Sequence, residues 1–173
     1  MTKTILNFAL LFVILVIAQA VIFNNLILFN TAIAFVFIYL IIILPINTAT
    51  NTAMTIGFLL GLSIDIFSDT PGLNALTCTI ISFVRRPIYH LYVPRDEESA
   101  GQRPGIKAMG WTSFLKYALS MTLIYCIFVY TLEAFSFFDI KRLLLRICAS
   151  TIFTLIFIYA FDSLSLNRRE KKL

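Results

Sequence analysis

GFLLGLSIDIFSDTPGLNAL, the stretch from Gly57 to Leu76, places one carboxylate, Asp65, inside an otherwise apolar run. Asp65 follows Gly57 by eight residues and Gly61 by four, so the three residues lie on the same row of a helix. A charge in hydrocarbon costs about 2.5 to 3.5 kcal/mol on insertion scales, which makes an intramembrane carboxylate a candidate functional residue. This helix is therefore the first candidate for the functional part of the chain.

The composition is that of an integral membrane protein. Of 173 residues, 60% are hydrophobic and 13% are charged, whereas a soluble domain is about 45 to 50% apolar. Lipid offers no hydrogen-bond partners, so each span must be a helix of about 20 residues. We predict an all-α bundle of six transmembrane helices in a single domain. The predicted spans are 5–23, 26–44, 50–67, 72–86, 112–132 and 142–162. Arg85 and Arg86 end the apolar run of the fourth span early, so that span needs Ile88 to Val93 as an interfacial extension.

The positions of lysine and arginine predict the orientation, since short loops rich in these residues stay in the cytoplasm. With both termini inside, the outer face carries Lys141, Arg142 and Arg146. The cytoplasmic face carries Lys3, Arg85, Arg86, Arg95, Arg103, Lys107, Lys116, Arg168, Arg169, Lys171 and Lys172. The net charge of +5 is thus interpreted as a topology signal, and no nucleic-acid partner is expected. The basic tail, 163–173, either flanks the last span or touches anionic lipid headgroups.

One long connection, 87–110, separates the fourth and fifth spans. It contains three prolines and charges of both signs, and it leads to Trp111, an expected anchor at the cytoplasmic interface together with Arg85 and Arg86. We expect its first third to lie in the membrane interface and Arg95 to Gly105 to be solvated. The other loops are short, so helix faces, turns and this loop must carry the function.

No pattern in the sequence favours catalysis or metal binding. There is no Ser-His-Asp arrangement, no HExxH and no phosphate loop. The three cysteines, Cys78, Cys126 and Cys148, fall within predicted spans without metal-ligand spacing, so we interpret them as packing residues.

A row of small residues leads to Asp65. Ala49, Ala53, Gly57 and Gly61 precede it at intervals of four, the small-xxx-small pattern that lets two helix backbones come close. Two interpretations stay open. The row forms a docking groove for a partner's transmembrane helix, or it packs against the first or sixth span of the same chain.

Two ion pairs are predicted from depth in the membrane. Asp65 and Arg146 both lie about one turn from the outer surface, although Asp65 alternatively accepts hydrogen bonds from Ser63, Ser68 or the turn backbone. Lys116 and Asp162 lie near the cytoplasmic interface at the two ends of a helical hairpin, and we interpret this second pair as structural.

The quoted stretch also carries a resemblance. Its residues Gly61, Leu62, Asp65, Ser68, Thr70, Pro71, Gly72, Ala75 and Leu76 resemble the signature of the bacterial rod-shape-determining protein MreD family. The chain is similar to that family in length, in span number and in the position of the long loop. It departs at Asp69, where the family often has a small residue such as glycine.

The resemblance implies a bundle similar to the substrate-binding S-components of energy-coupling-factor vitamin transporters. It implies a non-enzymatic scaffold of the elongasome, without cofactor, in the bacterial cytoplasmic membrane. The expected direct partner is MreC, a single-span membrane protein; the actin-like MreB and the wall glycan polymerase with its transpeptidase are indirect partners. The expected partner-binding residues are Gly57, Gly61, Asp65, Ser68, Pro71 and Gly72.

A small-solute or lipid-precursor carrier on the same bundle is the main alternative. Vitamin-carrier subunits typically have an Ala-xxx-Ala row in the first span, whereas this chain has Ala9, Ala18 and Ala20 without that spacing. The outer turns are also too short for an obvious substrate lid. A structural assembly factor outside the family is the third interpretation.

Overall fold

The computed structural model describes residues 2–23, 33–93, 103–134 and 140–170, which form helices joined by turns, with no strand among them. The helices are α1 (Thr2–Ala18, continued by a π-helical turn Gln19–Phe23), α2 (Ile38–Ile42), α3 (Thr50–Ser68), α4 (Leu73–Tyr92), α5 (Ile106–Met109), α6 (Trp111–Ala134) and α7 (Ile140–Glu170). The prediction of an all-α protein is confirmed.

Four of the described helices are long and apolar enough to cross a membrane. Their apolar stretches are Leu6–Phe23, Thr50–Ser68, Trp111–Ala134 and Ile140–Ser163, which match the first, third, fifth and sixth predicted spans. These helices also carry large apolar side chains on their outer faces, such as Ile66, which is 71% exposed. An apolar outer face suits a lipid surrounding, so the chain is a membrane protein.

The second predicted span, 26–44, does not form one continuous helix. Residues 24–32 lie outside the described part, 33–37 have no regular helix, and α2 contributes only five residues. Every residue from Ala34 to Leu44 is nevertheless buried. This segment contacts α1, α4 and α6, and it forms the centre of the core.

Side chains from α1 and α7 explain why the segment 33–37 can leave the helical conformation. Gln19 donates through Nε2 to the carbonyl of Ala34 at 2.9 Å and accepts from the N–H of Val36 at 3.0 Å. Hydroxyls of α7 accept two more backbone N–H groups of the segment, Ile33 to Ser150 Oγ at 3.1 Å and Phe35 to Thr154 Oγ1 at 3.0 Å. Irregular backbone is tolerated at membrane depth when protein groups satisfy it in this way.

α4 covers the fourth predicted span and most of its expected extension, Ile88 to Val93. α4 continues through Pro87 to Tyr92, so the predicted loop 87–110 begins about six residues too early. α4 is not one of the four described helices that are apolar enough to span a membrane. Of the segment predicted to be solvated, only Arg103 to Gly105 is described, and the Arg103 guanidinium lies 4.2 Å from the centre of the Phe8 ring.

Candidate functional site

The end of α3, the turn at residues 69–72 and the start of α4 form a tight corner, here called the α3–α4 corner. α3 ends because Asp69 adopts the left-handed conformation, with φ 52° and ψ 35°, and Gly72 follows with φ 78°. Aspartate tolerates this conformation better than most residues but glycine adopts it without strain. The position where the MreD family often has glycine is therefore one whose backbone favours glycine.

The Asp65 carboxylate holds this corner together. It is 5% exposed and accepts four hydrogen bonds. Oδ1 accepts from Thr70 Oγ1 at 2.8 Å, from the Asn74 backbone N–H at 3.0 Å and from Asn74 Nδ2 at 2.9 Å, and Oδ2 accepts from the Ala75 backbone N–H at 2.8 Å. The two backbone donors belong to the first turn of α4, where N–H groups have no partner within the helix. Asp65 thus caps α4 from the neighbouring helix, and the positive end of the α4 dipole stabilises its charge.

Asn74 extends the network from the corner to α6. Its Nδ2 also donates to Thr70 Oγ1 at 3.0 Å, and its Oδ1 accepts from the Tyr125 hydroxyl. Sequence reasoning did not select Asn74 or Tyr125 as site residues. The sequence did contain an indication for Asn74, because it is a polar residue in the first turn of an apolar helix. Nothing in the sequence distinguishes Tyr125 from the other tyrosines of the spans.

The small-residue row is occupied by α4 of the same chain. A Cβ atom on Gly57 would lie 2.7 Å from the Cys78 carbonyl oxygen, and one on Gly61 would lie 2.5 Å from Ala75 Cα and close to the Asn74 carbonyl. These glycines let the α3 and α4 backbones touch, as small-residue rows do. At Gly57 and Gly61 the row is therefore not an open groove for another protein, because the fourth helix occupies it.

The predicted ion pair between Asp65 and Arg146 is not present. All hydrogen bonds of the Asp65 carboxylate go to Thr70, Asn74 and Ala75, while Arg146 lies half-buried on α7. The prediction was wrong because equal depth in the membrane does not place two helices side by side. The alternative prediction, that Asp65 accepts hydrogen bonds from groups near the turn, agrees better with the structure. Ser63 is not one of these donors, because its hydroxyl donates to the Leu59 carbonyl.

The predicted pair between Lys116 and Asp162 is also absent. Asp162 is buried and accepts from the Tyr39 hydroxyl and from the Ile106 backbone N–H, both at 3.0 Å. Lys116 is exposed. Asp162 therefore joins α7 to α2 and to the start of α5 through hydrogen bonds to Tyr39 and Ile106.

The predicted partner-binding residues divide into two groups. Gly57, Gly61 and Asp65 are buried, whereas Ser68 is half-buried and Pro71 and Gly72 are exposed. Three further residues around the turn, Ile66, Phe67 and Asp69, are exposed. With Pro71 and Gly72 they define a surface that we call the corner surface. The buried group can act on a partner only through the corner surface that it positions.

The three residues expected at the cytoplasmic interface also differ from one another. Arg86 and Trp111 are exposed, but Arg85 is only 1% exposed. The Arg85 guanidinium donates to the Leu44 carbonyl and, through Nη2 at 3.1 Å, to the Pro45 carbonyl. Arg85 is therefore an interior residue. Its hydrogen bonds connect α4 to residues 44 and 45, which follow α2.

The chemistry that the corner offers is structural. Within residues 2–23, 33–93, 103–134 and 140–170, no group of three or more His, Cys, Asp or Glu residues is arranged to hold a metal ion. The Asp65 network instead fixes the turn relative to α4 and α6. The residues that carry the resemblance to the MreD family gather at this corner. No protein-family model, curated protein or solved structure matches the chain, so membership of that family stays a prediction.

Proposed function

We propose that this protein is a non-enzymatic scaffold of the bacterial cell-elongation machinery, which binds a single-span membrane protein of the MreC type and helps to position peptidoglycan synthesis. It would lie in the cytoplasmic membrane with both termini inside, and would reach MreB and the wall polymerase indirectly. The observation that carries the proposal is the buried Asp65 carboxylate, whose four hydrogen bonds fix an exposed turn.

A fixed turn suits a scaffold because a preorganised surface loses little conformational entropy on binding. Asp69 and Pro71 are exposed in the turn that follows α3, and Ile66 and Phe67 are exposed in the last turn of α3 itself. An apolar patch next to a polar turn fits a partner that crosses the membrane and emerges at the same level. The buried glycines support this surface because they allow α4 to lie against α3.

Site-specific photocrosslinking in cells tests the proposal directly. Photoreactive residues at Ile66, Phe67 and Pro71 probe the corner surface, and these positions avoid the positive φ of Gly72. Leu91 and Leu115 are exposed at the opposite end of α4 and α6 and serve as controls. We expect capture of the single-span partner from the first three positions only. Equal capture from the control positions, or none from the corner, would contradict the proposal.

A small-solute or lipid-precursor carrier is the second candidate, and the non-helical segment 33–37 favours it. Transporters place substrates beside discontinuous helices near the middle of the membrane. Here three of the five backbone N–H groups of the break, those of Ile33, Phe35 and Val36, are already bound by Ser150, Thr154 and Gln19. Native mass spectrometry of the purified protein distinguishes the two functions, because a carrier retains a small ligand that binds saturably and a scaffold does not.

A further inference from the structure

The inner part of α4 contains a buried cation that no described carboxylate neutralises. Arg85 is 1% exposed, and its guanidinium donates to the carbonyls of Leu44 and Pro45. These carbonyls follow α2, and the carboxyl end of a helix carries partial negative charge. Carbonyl dipoles compensate a buried charge less completely than an ion does. The Arg85 charge is therefore only partly balanced by the bonds that fix it.

Two hydrogen-bonding groups in this place have no partner among the described residues. They are Arg85 Nε and the Tyr117 hydroxyl, both buried. Tyr117, on α6, is 0% exposed, and its ring packs edge-on against that of Tyr89 at 5.7 Å between centroids, one helical turn after Arg85 on α4. Buried polar groups without a partner are rare and call for an explanation. Two donors from different helices beside an unbalanced positive charge match an anionic acceptor.

The surroundings add positive charge. Arg86 and Lys116, the sequence neighbours of Arg85 and Tyr117, are exposed on the same two helices. Arg85 lies seven residues before the end of α4 at Tyr92, which is about 10 Å along the helix. With the end of α4 at the headgroups, this distance would place Arg85 near the boundary between hydrocarbon and headgroups.

We propose that Arg85 and Tyr117 bind a phosphate group between α4 and α6, supplied by the headgroup of an anionic phospholipid. Basic sites between transmembrane helices bind anionic headgroups in this manner, and the planar guanidinium suits phosphate oxygens. Arg86 and Lys116 attract the anion, whereas Arg85 Nε and the Tyr117 hydroxyl donate to it. The site lies away from the corner surface and does not depend on the scaffold function.

The Tyr117→Phe variant tests the site, because it removes the unpartnered hydroxyl and keeps the ring. The full chain is purified in neutral detergent, and its Tm is measured against added phosphatidylglycerol, phosphatidylcholine or inorganic phosphate. We expect saturable stabilisation by phosphatidylglycerol, with an apparent affinity about tenfold weaker in Tyr117→Phe, the effect of losing one hydrogen bond to a charged group. Phosphatidylcholine should have no saturable effect.

Two matched variants serve as controls. Arg86→Gln removes one exposed charge next to the site and is expected to reduce the apparent affinity less than Tyr117→Phe does. Tyr159→Phe removes a hydroxyl from a half-buried tyrosine of α7 and is expected to leave the affinity unchanged. Equal saturation by inorganic phosphate would assign the site to a soluble phosphate and still support it. The absence of saturable stabilisation by either phosphate source, or the same affinity in Tyr117→Phe, would overturn the proposal.

Discussion

Replacement of Asp65 by asparagine is the sharpest test of the α3–α4 corner. The side chain keeps its size and loses one acceptor oxygen. If the amide oxygen takes the place of Oδ1, three hydrogen bonds remain and the backbone N–H of Ala75 faces an NH₂ group. A buried donor left without a partner costs about 1–3 kcal/mol, and loss of the charge at the start of α4 costs about 0.3–1 kcal/mol more. We therefore expect a loss of about 2–3 kcal/mol in unfolding free energy.

The assay is reversible unfolding of the purified protein by titration with SDS in mixed micelles, followed by tyrosine and tryptophan fluorescence. Asp69→Asn is the matched control, because it makes the same chemical change four residues later at an exposed position. Asparagine tolerates the left-handed backbone that Asp69 adopts, so this variant should stay within about 0.5 kcal/mol of the native protein.

The reasoning is refuted if Asp65→Asn also stays within about 0.5 kcal/mol of the native protein, or if Asp69→Asn loses as much stability. The same two variants connect the corner to the proposed function. Photocrosslinking from Pro71 should weaken in Asp65→Asn, because the turn is no longer held, and should persist in Asp69→Asn. Undiminished capture in an Asp65→Asn protein of lowered stability would show that the turn binds its partner without needing the network.

Three further variants probe other parts of the bundle by the same titration. Gly61→Ala forces apart α3 and α4, because its Cβ would lie 2.5 Å from Ala75 Cα; we expect a loss of about 1–3 kcal/mol, whereas Leu62→Ala, at an exposed neighbour, should lose less. Gln19→Leu removes two hydrogen bonds to the segment 33–37 and should cost about 2–4 kcal/mol with faster amide exchange in that segment; unchanged exchange would contradict the role given to Gln19. Asp69→Gly relieves a left-handed backbone and should raise stability by about 0.5 kcal/mol, so a measured loss would argue against that conformation.

Hydropathy predicted the helices that contact lipid and failed for the segment inside the bundle. α1, α3, α6 and α7 were predictable because each combines sufficient length with an apolar outer face. The segment 26–44 is equally apolar, but part of it is buried by protein, and hydropathy does not distinguish lipid from a protein interior. The non-helical conformation of residues 33–37 depends on Gln19 and on two hydroxyls of α7. The α7 hydroxyls are far from this segment in sequence.

The importance of Asp65 was predictable, and its partners were not. A lone carboxylate in an apolar run is conspicuous in any sequence of this composition. Its donors are set by how closely the hairpin of α3 and α4 closes, and that closeness follows from Gly57 and Gly61 meeting the α4 backbone. The small-residue row correctly indicated a close helix contact. Only the structure identifies α4 as the helix that makes it.

The bonds between the segment 33–37 and α7 impose an order on biogenesis. Ile33 and Phe35 donate to Ser150 and Thr154, partners that lie 117 and 119 residues further along the chain. At ribosomal speeds of about 5–20 residues per second, the wait is on the order of 10 s. Until α7 has been synthesised and has entered the bundle, these two hydrogen bonds cannot form, so we expect the centre of the bundle to close last. A ribosome that stalls before Ser150 leaves a product that membrane proteases should recognise and remove.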